Sequence, residues 1–133
     1  MAKLTQDQLV EIFNTLKKEL KPYEKGSIVA RMDIEGKYDL WSEHKNKMLI
    51  HDKMRNEVNF ATLIIQSNYV GFYYMPIYSN CNDLKDKLSA GLMSKLKGKA
   101  CFHIKEINKD VISEVNQAMK LGYEQYKKNG WVK

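Results

Sequence analysis

The chain has two prolines and two cysteines among its 133 residues. It also has no uncharged apolar run approaching the roughly 20 residues that cross a bilayer. Each scarcity excludes something. So little proline, with 44% hydrophobic and 29% charged residues, separates the sequence from disordered and linker-like chains. Cys81 and Cys101 could form at most one bridge, so a disulfide-built secreted scaffold is excluded and both are expected as free thiols. The opening stretch MAKLTQDQLVEIF has no leader-type apolar segment, and a cytoplasmic protein without membrane contact is expected. No catalytic constellation and no cofactor fingerprint is present. An enzyme is therefore not the favoured reading, and no cofactor is expected.

What is present is enough for one α+β domain spanning residues 1–133. Asn59 to Gln66 (NFATLIIQ) and Asn68 to Ile77 (NYVGFYYMPI) are rich in β-branched and aromatic residues and read as a central hairpin turning at Ser67-Asn68. Ahead of it, Thr5-x-x-Gln8 has the capping-box pattern, and Leu9, Ile12, Phe13, Leu16 and Leu20 recur at helical spacing up to Pro22. Ser27 to Ile34 alternates as a strand with one wet face, Gly36 supplies a turn, and Tyr38 to Ser42 returns. Between Glu43 and Glu57 the alternation fails, and an irregular connection is expected.

Beyond the hairpin, Leu84, Leu88, Leu92 and Leu96 suggest one broken helix or two short ones. Lys97-Gly98-Lys99 makes a turn, and Ala100 to Ile104 a short strand. Asn108 is placed to cap a last helix with Val111, Ile112, Val115, Ala118, Met119, Gly122 and Tyr126 on its apolar face, stopped at Asn129-Gly130. Gly122 in that stripe implies close approach to the sheet. The order α-ββ-ββ-α-β-α predicts a two-layer sandwich, a mostly antiparallel five-stranded sheet with helices on one side. Its edges are expected at the first hairpin and at Ala100 to Ile104. Charge at the first edge and lysines at the second predict a monomer or weak dimer.

Several of these segments carry a resemblance. Val70 to Tyr78 (VGFYYMPIY), the leucine-spaced helix, Leu96 to Ile104 (LKGKACFHI) and the ending GYEQY at Gly122 to Tyr126 resemble the YdhG-like family of domains of unknown function, over roughly Phe60 to Tyr126. The resemblance implies the same two-layer α+β fold. For one branch it also implies frataxin-like iron handling, which uses an acidic surface; the matching region here is lysine-rich, and that role is not carried over.

The net charge is +6, and from Lys85 to Lys105 six lysines face one acid, Asp86. Such a patch draws anions, phosphate or nucleic acid. The leading expectation is a non-catalytic module that binds a small anionic or amphipathic ligand, or a protein segment, at Tyr73, Tyr74, Lys97, Gly98, Lys99 and His103. Nucleic-acid binding through the Lys85–Lys105 patch is the alternative, because exposed sheet aromatics beside lysines stack bases, although no arginine-rich or RNP-like sequence accompanies them. A third reading is chemistry at Cys101 and His103, two apart on one strand face, as a metal site or a thiolate–imidazolium pair. Further metal ligands would have to come from Cys81, His44 and His51, none of which has zinc-site spacing. A small buried thiol beside a half-buried histidine is the preferred reading, and no metal site is assigned.

Overall fold

The computed structural model describes residues 4–50, 53–79 and 84–132. Helix α1 (Gln6–Leu20) starts where the capping box forms: the Thr5 hydroxyl accepts from the Gln8 amide and the Gln8 side chain accepts from the Thr5 amide. Its five stripe residues, Leu9 to Leu20, are all buried. A 3-10 turn at Lys21–Tyr23 carries Pro22 and ends the helix.

Strands β1 (Ile28–Ile34), β2 (Lys37–Ile50), β3 (Lys53–Ile65) and β4 (Val70–Tyr74) follow as antiparallel neighbours. Short helices α2 (Met75–Ser79) and α3 (Ala90–Met93) come next, then β5 (Leu96–Lys97), β6 (Cys101–Ile104) and the long helix α4 (Lys109–Asn129). The sheet order is β1-β2-β3-β4-β6-β5, antiparallel throughout.

The architecture is the expected α+β one, with four differences of detail. The second strand of the central hairpin, expected to run to Ile77, ends at Tyr74, and Met75–Ser79, with Pro76 in its first turn, is helix α2. Six strands are described rather than five, because the last residue of the leucine series, Leu96, opens a two-residue strand instead of closing a helix. That strand pairs with β6, so Ala100 to Ile104 is interior and the edge beside β6 is β5. The Glu43–Glu57 segment is no irregular loop: β2 and β3 run on as a two-stranded ribbon, broken where Glu43 pairs Glu57 and the next pair is Met48 with Arg55. Four residues, 44–47, oppose one there. That wide irregularity, in a ribbon with mostly exposed side chains, is why alternation fails in the sequence.

Both long helices pack on one face of the sheet. Tyr38, Leu40, Leu63, Val70, Phe72, Tyr74, Phe102 and Ile104 point to them and are fully buried. Helix α4 comes closest at Gly122, where an added Cβ would lie 2.6 Å from the Tyr74 hydroxyl and 2.8 Å from Pro76 Cγ. Asn108 caps this helix by accepting from the Val111 amide, and Gly130, in the left-handed region at φ 80°, closes it. Trp131 then folds back edge-on to Tyr126, and its carbonyl accepts hydrogen bonds from Ser42 and from His44 Nε2. Among the described residues no long helix lies on the opposite face of the sheet, and no described helix is long and apolar enough to cross a membrane.

Candidate ligand-binding site

The uncovered face is built by strand register. Because side chains alternate, residues paired across neighbouring strands share a face. One row runs Met32, Asp39, Thr62, Tyr73, Cys101, Lys97 from β1 to β5. The adjacent row runs Ile34, Lys37, Ile64, Gly71, His103, and the His103 amide donates to the Lys95 carbonyl beyond it. The two ends of this face differ in charge.

At the β2–β3 end the carboxylate of Asp39 accepts from Trp41 Nε1 at 2.8 Å, Thr62 Oγ1 at 2.6 Å and Asn59 Nδ2 at 3.1 Å. Arg31 lies over the Trp41 ring, 4.4 Å from its centroid, and pairs with Glu43 and Glu57. Asp39, Arg31, Glu43 and Glu57 thus each have a partner within the protein.

At the β6–β5 end the balance reverses. A pocket of about 310 Å³ is lined by Ser94, Lys95, Lys97, His103, Lys105 and Glu106. Three lysines and a histidine thus line one pocket with a single acid, Glu106. His103 stacks on Tyr69, ring centroids 3.7 Å apart and planes 10° from parallel. Its pKa lies below the ordinary imidazole value, because partial burial disfavours the cation and Lys105 and Lys97 repel it. Lys95 also donates to the Gly91 carbonyl at 3.1 Å, which fixes one wall.

The residues singled out in the sequence are divided by this geometry. Tyr73 is half-buried on the open face, whereas Tyr74 is fully buried on the other, its hydroxyl donating to the Ala118 carbonyl. Burial, then Tyr126 and Tyr23, push the Tyr74 phenol well above its usual range. Lys97 and His103 share the basic pocket. Gly98 and Lys99 line a separate one of about 360 Å³ with Ile77, Tyr78, Lys85 and Leu96, on which Lys99 sits 5.8 Å from the Tyr78 ring centroid. Gly98 takes φ 78° in the β5–β6 turn, a conformation that favours glycine.

Cys101 and His103 lie on one face as alternation requires, but they engage different partners. Cys101 lies opposite Tyr73 in the ladder and burial raises the pKa of its thiol, while that of His103 is lowered. A thiolate–imidazolium pair would move both the other way. Among the described residues no three His, Cys, Asp or Glu side chains converge as metal ligands, and His44 is held by Ser42 and the Trp131 carbonyl. Cys81 and His51 fall outside the described residues. Tyr69, Ser94 and the pocket roles of Lys95 and Lys105 were not legible as site features: Tyr69 lies outside the ladder, and the others become neighbours only through the β5–β6 hairpin.

Comparison of the chain with protein-family models, curated proteins and solved structures gave no match.

Proposed function

We propose that the chain is a non-catalytic binding module whose ligand is a small anion held in the pocket of Lys95, Lys97, Lys105 and His103. The observation that carries this reading is the convergence of three lysines and a histidine around one acid, Glu106, at an open end of the sheet. Mutual repulsion of such groups is relieved when an anion enters. On the sequence resemblance of Val70 to Tyr78 and Leu96 to Ile104 alone, we treat the chain as a YdhG-like domain; the second of these segments carries Lys97 and His103 into the pocket. A nucleic-acid strand tracking across the whole face is less favoured, since at its far end Asp39 is acidic and Arg31 is already paired with Glu43 and Glu57.

The His103 imidazole reports directly on the pocket. The groups facing it are Tyr69, Ser94, Lys95, Lys97, Lys105 and Glu106. NMR titration of the histidine C–H resonances, with His103 assigned by its loss in His103→Gln, is expected to show a midpoint below about 6.5 in the free protein. Inorganic pyrophosphate should raise that midpoint, because a bound anion stabilises the cation that the lysines disfavour. A midpoint indifferent to millimolar pyrophosphate at low salt would overturn the proposal.

A further inference from the structure

An anion alone leaves one arrangement beside the pocket without a role. Gly71 is the cross-strand partner of His103, and a Cβ built on it would lie 2.8 Å from Tyr73 Cε2, 3.2 Å from Cζ and 3.3 Å from the hydroxyl oxygen. The Tyr73 ring therefore lies down along its own strand over the bare backbone of Gly71 instead of standing off the sheet. Its hydroxyl is held at 3.2 Å by Gln66 Nε2, and Cys101 lies opposite it across the ladder. The flattened ring is flanked by His103, stacked on Tyr69, on the β6 side and by Ile64 on the β3 side. The result is an aromatic floor between an aromatic wall and an apolar wall. Neighbouring strands are about 4.8 Å apart. The strand that carries Tyr73 is thus one strand spacing from that of His103 and two from that of Lys97, and His103 belongs to both parts.

We propose that the floor and the basic pocket form one bipartite site for a nucleotide-like unit, its planar base stacked on Tyr73 and its phosphate set among Lys95, Lys97 and Lys105. This rests on the anion-binding reading and adds the ligand's ring to it. The same chemistry is offered by a free mononucleotide and by one nucleotide of a single strand. Stacking on an aromatic side chain strengthens binding by roughly 5- to 150-fold.

The test compares adenosine 5′-monophosphate with ribose 5-phosphate, which keeps the phosphate and lacks the base, by calorimetry at low salt. The folded protein should bind the nucleotide about 5- to 150-fold more tightly. Tyr73→Leu should bring that ratio near one, and Tyr73→Phe, which keeps the ring, should preserve it. Gly71→Ala should also lower the ratio, since its methyl lifts the ring; should that variant fail to fold, Tyr73→Leu carries the test. A ratio of one in the unaltered protein, with ribose 5-phosphate bound, would overturn the base site and leave the anion pocket standing. No binding of either compound would overturn both. An adenine tetranucleotide binding no more tightly than the monophosphate assigns the site to a free nucleotide, and affinity rising with strand length assigns it to a single strand.

Discussion

Gly122 shows how one residue's meaning can be read before any coordinates and then given a magnitude. A glycine in the apolar stripe of a helix implies close packing, and here the contact is with Tyr74 and Pro76. Gly122→Ala gains helix preference of about 1 kcal/mol. It also drives a methyl into a tyrosine that cannot turn aside without giving up its bond to the Ala118 carbonyl. Overpacking of this kind costs about 1–3 kcal/mol, and the lost hydrogen bond about 1 more, so a net destabilisation of about 1–3 kcal/mol is expected. Urea denaturation with unchanged slope measures it, and an unshifted midpoint would show that the helix can move away. The adjacent pair Tyr73 and Tyr74 shows the opposite limit. Alternation says that they face apart, but only the side occupied by α1 and α4 says which one is buried.

At the scale of elements, the clearest signals were those made within one segment. Asn108 and Gly130 bound α4, and Thr5 with Gln8 starts α1, because capping chemistry is local. Asn108→Ala should cost about 1 kcal/mol, seen as a lower thermal midpoint and faster amide exchange in the first turn of α4. Unaltered exchange there would mean that the helix start is fixed by packing alone. The ribbon beyond Glu43 was missed for the converse reason. Its pairing is long-range, its side chains are mostly solvated, and three extra residues on β2 break its register, so no local periodicity marks it. Strand β5 was missed because two residues are too few to carry a pattern, and its partner β6 specifies it.

Across the whole molecule, helices cover one sheet face and leave the other with an internally paired end around Asp39 and Arg31 and a cationic end around His103. The lysine surplus was visible in the sequence; that three of those lysines line one pocket with His103 depends on the β5–β6 hairpin and could not be read from spacing. The exposed cations of the ribbon, Lys45, Lys47, Lys53 and Arg55, supply a competing basic surface within the same chain. The central claim is that the pocket, and not positive charge in general, takes the anion. Amide chemical-shift mapping with pyrophosphate at low salt tests it most directly. Shifts are expected to centre on residues 94–97 and 101–106 and to fade in a Lys97→Ala, Lys105→Ala variant. Shifts centred on residues 45–55 instead, or unchanged in that variant, would contradict the account.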